Sequence, residues 1–328
     1  MTQGTLLSVE GLKTYCFTRA GVVKAVDGVN FSVKEGEALG IVGESGCGKS
    51  MTCASIVRLV PQPAAHIVAG KIIFEGEDLL KKNESEMRQL RGKKITMILQ
   101  DPLMSLNPVY TIGNQVAESF KLHGEGLSRS AVRQGVIKVL TQVNIPSAEQ
   151  RLKHYPFQFS GGMRQRTVAA MALAGQPRLL IADEPTTSLD VTIQDQFLRL
   201  LREMQEQTKM GLILVTHDLG IVAETCNRIV IMYAGKIVEA GEIRKVFDRP
   251  AHPYTEALLQ ALPTVGSRSK RLFQIKGEPP NLLNLPPGCS FWVRCHKTME
   301  ICKKEYPPMV SLEGGGEAAC WRIGKEEG

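Results

Sequence analysis

The pattern of apolar and polar residues changes character along the chain. Near the start, LLSVEGLKTYCFT (6–18) and VVKAVDGVNFSV (22–33) are rich in β-branched and aromatic residues and flank an Ala-Gly turn, which predicts an antiparallel pair of strands. EALGIVG (37–43) is short and almost wholly apolar, which is typical of a strand buried on both faces. From about residue 102 to 176, apolar residues recur at three- and four-residue spacing, and this predicts a helical insertion.

Strands and helices alternate in the second half of the chain. LLIADEP (179–185) and LILVTHDL (212–219) are apolar strands that end in polar residues, and a helical stretch joins them. RIVIMYAGKIVEAGE (228–242) predicts a hairpin that turns at Ala234-Gly235. This alternation of strand and helix indicates an α/β protein with a parallel sheet.

These patterns predict two domains. The first covers residues 1–262 and contains an antiparallel β subdomain, the parallel sheet and a helical subdomain at about 102–176. The second, residues 263–328, begins with a linker rich in Pro, Gly and Lys/Arg. We call this second region the C-terminal tail.

Composition narrows the function classes only slightly. The formal charge of +7 suits nucleic acid, an anionic membrane surface or anionic ligands. No apolar window reaches the roughly 18 to 20 residues of a membrane helix, and the first residues lack the features of a secretion signal, so we expect a cytoplasmic protein. Four of the eight cysteines are scattered, whereas the other four fall in the last 40 residues: Cys289, Cys295, Cys302 and Cys320.

The stretch GESGCGKS has the spacing of a phosphate-binding loop. Its glycines let successive backbone N–H groups point at one phosphate chain, and the strand before it and the helix after it provide the required context. Lys49 is expected to reach the β- and γ-phosphates, and the Ser50 hydroxyl to bind Mg²⁺. The predicted nucleotide-binding residues of this region are Gly43, Glu44, Ser45, Gly46, Cys47, Gly48, Lys49, Ser50 and Met51. We call residues 43–50 the phosphate loop.

Two carboxylates follow the strand of LLIADEP. Asp183 lies at the carboxyl end of that strand, where open α/β sheets place their ligands, and can bind the Mg²⁺ shell. Glu184 is then a candidate general base for the water that attacks a phosphoanhydride.

Between these motifs, Ser160-Gly161-Gly162-Met163-Arg164-Gln165-Arg166 resembles the signature of ATP-binding cassette (ABC) transporter ATPases. Gln100, Ser188-Leu189-Asp190 and His217 complete that family's set in the right order, so the resemblance covers roughly residues 5–262. It implies an ABC-type P-loop fold.

The resemblance also implies roles for these residues. Gln100 contacts Mg²⁺ or the lytic water, and His217 binds the γ-phosphate. A second ATPase subunit, identical or related, faces the first head to tail, so that each ATP lies between one chain's phosphate loop and the other's Ser160, Gly161, Gly162 and Asp190.

The family usually stacks an aromatic residue on adenine near position 16. Here Cys16 lies between two aromatic residues, and we favour Tyr15 over Phe17. Strand alternation places both aromatic side chains on the face opposite to Cys16, so a bulge or local shift is required for stacking.

Three segments resemble peptide importer ATPases in particular: QDPLMSLNPVYTIGNQVAE, HPYTEALLQALP and GCSFWVRCHKTMEIC. This implies a peripheral subunit on the cytoplasmic membrane face that drives di- or oligopeptide import through two permease subunits and, indirectly, an extracytoplasmic binding protein. Residues 101–120 are the predicted coupling surface. A nickel importer ATPase and a soluble ABC ATPase acting on nucleic acid remain as alternatives, although we expect no nucleic-acid partner.

The cysteines of the C-terminal tail have the spacing C-x5-C-x6-C-x17-C. Structural zinc sites usually contain at least one C-x2-4-C knuckle, and none occurs here. A [4Fe–4S] cluster accepts ligands from a looser loop, and peptide importer ATPases are similar in carrying one. We therefore expect a [4Fe–4S] cluster at these four cysteines, with zinc and unliganded thiols as alternatives.

Overall fold

The computed structural model describes residues 4–101, 105–124, 126–187, 189–262 and 273–323. Within these ranges the chain forms a mixed α/β structure. Its strands are β1 (Thr5–Thr18), β2 (Gly21–Lys34), β3 (Ala38–Val42), β4 (Ala65–Phe74), β5 (Glu77–Asp78), β6 (Ile95–Ile98), β7 (Leu179–Asp183), β8 (Gly211–Thr216), β9 (Arg228–Tyr233), β10 (Lys236–Glu242), β11 (Val310–Ser311) and β12 (Glu317–Ala318).

The helices fall mostly between β6 and β10. They are α1 (Lys49–Ile56), α2 (Glu84–Leu90), α3 (Ile112–His123), α4 (Arg129–Gln142), α5 (Ala148–Arg151), α6 (Gly161–Leu173), α7 (Val191–Thr208), α8 (Leu219–Thr225), α9 (Ile243–Asp248) and α10 (Pro253–Gln260). Helices α3 to α6 lie within the predicted helical subdomain. Of the helices in the described ranges, none combines the length and the apolar character required to cross a lipid bilayer.

The chain divides into two compact units. The first contains the described residues of Met1–Leu6, Val33–Ala38 and Asp78–Val215, and the second contains those of Leu7–Ser32, Leu39–Glu77 and Thr216–Gly328. Both units draw on separated parts of the sequence.

The first unit contains the parallel strands β6, β7 and β8 and the helical region. Strand β7 pairs in parallel with β6 and with β8, and all five residues of β7 are buried. Parallel strands covered on both faces are near-continuous apolar runs, as the sequence of β7 predicts. Because the three strands run in the same direction, the residues that follow β6 and β7 lie at the same edge of the sheet.

The helical region of the first unit forms because its apolar residues share one face of each helix. In α4, the apolar residues Val132, Val136, Val139 and Leu140 are buried. Ser128 begins this helix as its N-cap, and its hydroxyl oxygen accepts a hydrogen bond from the backbone N–H of Ala131. The three- and four-residue periodicity of the sequence therefore correctly predicts helices here.

The second unit contains two sheets. In one, the strand order is β2-β1-β4-β5, and β1 pairs antiparallel with β4. The other contains the order β11-β12-β10-β9-β3, with β9 parallel to β3 and antiparallel to β10. The predicted hairpin at Ala234-Gly235 is present, and both turn residues have the positive φ angles that a tight hairpin turn requires.

The described part of the C-terminal tail is anchored to the second unit in two ways. Strand β12 extends the sheet by pairing with β10, where Glu239 lies opposite Ala318. Phe291 is 1% exposed and packs against Tyr233 and Tyr254 at ring-centroid distances of 5.2 and 5.3 Å. Burial of one such aromatic side chain contributes about 2 to 3 kcal/mol to stability.

Candidate functional site

The phosphate loop connects β3 to α1 and has a backbone that requires glycine at two positions. Gly48 has a φ of 106°, and a Cβ atom there would lie 2.2 Å from the carbonyl oxygen of Ala25. At Gly43 a Cβ atom would lie 2.2 Å from the carbonyl oxygen of Met232. The glycine spacing of the motif therefore reflects close backbone packing around the loop.

Lys49 is the first residue of α1, and its side chain is buried within the loop. The ammonium group donates hydrogen bonds to the carbonyl oxygens of Gly43 at 2.8 Å and Glu44 at 3.1 Å. The N-terminus of α1 adds the partial positive charge of a helix dipole. A buried cation beside a helix N-terminus is the electrostatic arrangement that binds phosphate groups.

The remaining residues of the loop differ in exposure. Ser45, Gly46 and Ser50 are exposed, so they are accessible to a ligand. Cys47 is buried, and this burial raises the pKa of its thiol above the ordinary value. Met51 follows Ser50 in the first turn of α1.

The first unit brings two of the predicted catalytic residues into direct contact. Gln100 lies two residues beyond β6, and its Nε2 donates a hydrogen bond of 2.8 Å to Oε2 of Glu184. Thr187 Oγ1 donates to the same carboxylate oxygen at 3.2 Å. Asp183, the last residue of β7, is buried, and Glu184 has a φ of 44° in the left-handed region. The backbone turns sharply here and presents the Glu184 carboxylate at the carboxyl edge of the strands.

The signature segment begins helix α6. Ser160 is its N-cap, and the hydroxyl oxygen accepts a hydrogen bond from the N–H of Met163. Gly162 lies so close to Ile193 of α7 that a Cβ atom would meet Ile193 Cγ2 at 2.6 Å. Asp190 caps α7 by accepting a hydrogen bond from the N–H of Ile193 at 3.0 Å. The predicted residues Ser160, Gly161, Gly162 and Asp190 therefore lie at two adjacent helix starts, and Ser188 lies outside the described residues.

His217 and Tyr15 are both in the second unit. His217 is exposed and directly follows β8. The Tyr15 hydroxyl donates a hydrogen bond of 2.8 Å to Asp27. Burial, and to a lesser extent the Asp27 carboxylate, raise the pKa of Tyr15 to about 12. The pairing of β1 with β4 shifts register between Glu10 and Thr14. From Thr14 to Cys16 the register is regular, and adenine stacking by Tyr15 stays a prediction.

The four clustered cysteines line one cavity in the second unit. Cys289, Cys295, Cys302 and Cys320 all contribute to its wall, together with aromatic residues such as Phe291 and Trp292. Burial raises the pKa of Cys289 to about 11 and also raises the pKa values of Cys295 and Cys320. The neighbouring thiols raise these pKa values further.

These cysteines are not arranged as a metal site within the described residues. Across residues 4–101, 105–124, 126–187, 189–262 and 273–323, no group of three or more His, Cys, Asp or Glu side chains is arranged to hold a metal ion. The predicted metal-cluster domain in the tail is therefore not confirmed.

Some residues that contact the predicted site belong to none of the sequence motifs. Thr187 contacts Glu184, and Arg294 of the tail contacts Glu44 of the phosphate loop. Thr187 carries a usable signal, because it follows the DE pair by three residues. Arg294 carries none, since it is 250 positions from Glu44.

Two family models match the chain. One, described as ABC transporter, matches residues 26–187. The other, described as Oligopeptide/dipeptide transporter, C-terminal region, matches residues 238–302. The two matches follow each other without overlap.

Curated relatives resemble the chain over nearly its full length. A probable peptide ABC transporter ATP-binding protein, y4tR of Sinorhizobium fredii, is 48% identical, and the alignment covers 97% of this chain and 95% of the relative. The dipeptide transport ATP-binding protein DppD of Bacillus subtilis is 46% identical, with coverage of 96% and 94%. The oligopeptide transport ATP-binding protein OppD of the same organism is 46% identical, with coverage of 97% and 89%.

Solved structures with the same fold include the ATP-binding cassette MJ0796. Its dimeric post-hydrolysis state bound to ADP and Pi has a TM-score of 0.66 and 25% identity, covering 73% of this chain and 99% of that one. A second dimeric structure of MJ0796, described as a bacterial ABC transporter cassette, has a TM-score of 0.65 and 26% identity with the same coverage. The likeness confirms the predicted α/β cassette fold.

Proposed function

The chain belongs to the ATP-binding proteins of peptide ABC transporters, and from this premise we propose that it hydrolyses ATP to energise the import of dipeptides or oligopeptides. One observation carries the proposal: a phosphate loop and the C-terminal region of peptide transporters occur in the same chain. The cargo-selecting components are a binding protein outside the cytoplasm and two permease subunits within the membrane.

We assign ATP binding to the phosphate loop. The Lys49 ammonium donates to two loop carbonyls, and we propose that it exchanges these contacts for oxygens of the β- and γ-phosphates when ATP binds. The Ser50 hydroxyl, the Asp183 carboxylate and the Gln100 amide are the proposed Mg²⁺ ligands, because each carries an oxygen donor of the kind that Mg²⁺ prefers. Bound Mg²⁺ would neutralise charge on the phosphate oxygens.

Glu184 is the proposed general base. Its carboxylate oxygen Oε2 accepts hydrogen bonds from Gln100 and Thr187, and these contacts fix the direction in which the carboxylate faces. A carboxylate held in this way can orient the attacking water and accept its proton. His217 is assigned to the γ-phosphate, where an imidazole N–H can donate to the developing charge.

The signature segment acts on the ATP bound to a second ATPase subunit. Ser160 and Gly161 are exposed at the N-terminus of α6, where backbone N–H groups and the helix dipole favour an anion. Asp190 lies at the neighbouring start of α7. We therefore propose a head-to-tail dimer with ATP between the subunits, formed with a second copy or with a related chain.

Tyr15 is the proposed platform for adenine. Its hydroxyl is fixed by Asp27, which also pairs with Lys236 at 2.8 Å, so the ring is held in one orientation. Stacking of a base on an aromatic ring contributes about 1 to 3 kcal/mol.

We expect Tyr15→Ala to raise the Kd for ATP by about tenfold, because the stacking surface is lost. Tyr15→Phe keeps the ring and should remain within about threefold of the unsubstituted protein. The measurement is titration with a fluorescent ATP analogue, with Phe17→Ala as the matched control from the same strand. If Phe17→Ala raised the Kd for ATP by about tenfold and Tyr15→Ala left it unchanged, the stacking role would belong to Phe17.

The proposed partners are two permease subunits, which would hold the chain on the cytoplasmic membrane face. The predicted coupling surface contains exposed apolar side chains at Val109 (72% exposed) and Tyr110 (55% exposed). Residues 102–104 of this surface lie outside the described residues.

Co-purification tests this partnership. Tagged protein expressed with the permeases of its own operon should retain them in detergent, and Val109→Asp combined with Tyr110→Asp should release them. Leu122→Asp, at a helix position that is 70% exposed outside the surface, is the control. Retention on nucleic acid at physiological salt, with no permease bound, would support the nucleic-acid alternative instead.

The four cysteines of the tail are the proposed ligands of a [4Fe–4S] cluster. Support comes from the cavity that all four cysteines line and from the neighbouring thiols, which raise the pKa of Cys289. A single Zn²⁺ requires four sulphurs at about 2.3 Å from one point, whereas a cube of iron and sulphide binds more widely spaced thiolates. When bound, the cluster would cross-link a segment that has few apolar residues.

We expect anaerobically purified protein to be brown and to contain about four iron and four sulphide per chain. Cys302→Ser should lose the colour, because a buried ligand is removed. Cys226→Ser, at a partly buried cysteine outside the cavity, is the matched control and should stay brown. Colourless protein with one zinc per chain would establish the zinc alternative.

A further inference from the structure

The phosphate loop carries an acidic side chain that is bound by the C-terminal tail. Arg294 Nη1 donates to Glu44 Oε2 at 2.6 Å, and Arg294 Nη2 donates to Glu44 Oε1 at 2.9 Å. This bidentate geometry is the strongest form of an arginine–carboxylate pair.

The pair is shielded from solvent on the arginine side. The Arg294 side chain is 4% exposed and that of Glu44 is 25% exposed. Arg294 also donates to the Tyr233 hydroxyl at 3.2 Å and, through Nε, to the carbonyl oxygen of Lys276 at 3.1 Å. The guanidinium is therefore held in one position by partners from three segments of the chain.

Glu44 is held through its main chain as well. Its backbone N–H donates to the hydroxyl of Tyr254 at 3.0 Å. The Tyr254 ring packs 4.6 Å from that of Tyr233, and both contact Phe291 of the tail. The second residue of the phosphate loop thus depends on a core cluster that the tail completes.

Arg294 belongs to the same short segment as the cysteines. It lies immediately before Cys295, and its backbone N–H donates to the carbonyl oxygen of Phe291 at 3.0 Å. The N–H of Cys289 donates to the carbonyl oxygen of Cys302 at 2.8 Å, which closes the segment into a loop. We call residues 289–302 the cysteine loop.

We propose that Arg294 is a positioning residue for the phosphate loop, through which the folded cysteine loop sets the affinity for ATP. The proposal rests on the assignment of ATP binding to residues 43–50. It adds a role for the tail that neither family match nor the sequence motifs assign.

Two physical effects support this role. An unpaired Glu44 carboxylate beside a triphosphate would repel its negative charge, and the Arg294 guanidinium neutralises that carboxylate. The bidentate contact also fixes the loop in one conformation before ATP arrives, which reduces the ordering cost of binding. Coupling of this kind is reciprocal, so bound ATP should in turn stabilise the cysteine loop.

Steady-state ATPase kinetics on the full chain test the first direction. Arg294→Ala should raise the KM for ATP by about 10- to 100-fold, with kcat at saturating ATP within about twofold of the unsubstituted protein. Arg294→Lys keeps the positive charge but loses the bidentate geometry of the guanidinium. Its KM for ATP should therefore lie between those of the unsubstituted protein and Arg294→Ala. Lys297→Ala is the matched control. Lys297 also belongs to the cysteine loop, but its ion pair of 2.8 Å is with Glu256, which lies outside the phosphate loop.

A double substitution shows whether Arg294 acts through Glu44. In a Glu44→Gln background, Arg294→Ala should change KM by less than about threefold, since the pair is already broken. An equal effect of Arg294→Ala in both backgrounds would overturn the proposal. Far-ultraviolet circular dichroism identifies any variant that fails to fold, and the Lys variant then replaces it.

Hydrogen exchange tests the reciprocal direction without relying on turnover. MgATP should slow exchange in peptides covering residues 289–302 in the unsubstituted protein and in Lys297→Ala, but not in Arg294→Ala. Binding of ATP with no change in these peptides would overturn the positioning role alone. Failure of the unsubstituted protein to bind ATP would instead overturn the proposed function.

Discussion

Replacement of Glu184 with Gln is expected to lower kcat for ATP hydrolysis by about 10³-fold while leaving the Kd for ATP nearly unchanged. Glutamine keeps the size of the side chain and its contacts with Gln100 and Thr187, but it cannot accept a proton from water. Because ATP binds and is not cleaved, the proposed ATP-bound dimer should accumulate.

Phosphate release and size-exclusion chromatography measure the two parts of this prediction. With MgATP, the Glu184→Gln protein should elute as a dimer, formed with its natural partner chain if the two differ. Asp195→Asn is the control, because Asp195 is a carboxylate of α7 that pairs with Arg199 on the surface. Hydrolysis at the unsubstituted rate in the Glu184 variant would exclude Glu184 as the base.

Lys49→Ala should have the second largest effect, raising the Kd for ATP by about 100-fold or more. The substitution removes the buried ammonium that the loop holds through two carbonyl oxygens, and with it the main positive charge of the loop. A charge-assisted contact to phosphate is lost, so binding itself fails.

Isothermal titration with ATP and Mg²⁺ provides the measurement for Lys49. Lys138→Ala, at an exposed position of α4 in the helical region, is the matched control and should bind as the unsubstituted protein does. Unchanged affinity in the Lys49 variant would contradict the assignment of residues 43–50 to phosphate binding.

Much of the secondary structure was predictable because local patterns determine it. The apolar runs of β3, β7 and β8 are buried throughout, as strands covered on both faces must be. The Ala234-Gly235 hairpin and the start of α6 at Ser160 follow from turn and capping preferences that a few residues carry. The conformation of the phosphate loop was predictable in the same way, because the glycine spacing of the motif indicates it.

The contacts between distant segments were not predictable in this way. Gln100 and Glu184 are 84 positions apart, and their hydrogen bond depends on the parallel pairing of β6 and β7. Strand patterns predict that two strands share a sheet, but they do not give the order or the register. To predict the Glu44–Arg294 pair, one must also know that Phe291 packs on Tyr233. The spacing of apolar residues along the sequence does not give this contact.

The attachment of the C-terminal tail was also not predictable from the sequence. The tail is predicted there only as a linker and a cysteine-rich segment. In the described residues, Phe291 is instead buried in an aromatic cluster, and β12 joins the sheet of the second unit. One well-placed aromatic side chain and two strand residues therefore anchor this part of the tail.

Uptake of a labelled dipeptide into proteoliposomes tests the central claim most directly. The vesicles contain the permeases, this chain, its partner ATPase chain where the two differ, and the binding protein. With the binding protein outside and MgATP on the side of this subunit, the unsubstituted chain should accumulate peptide, and the Glu184→Gln chain should not. Equal accumulation by both chains, or accumulation without ATP, would contradict the claim that this protein energises import by hydrolysing ATP.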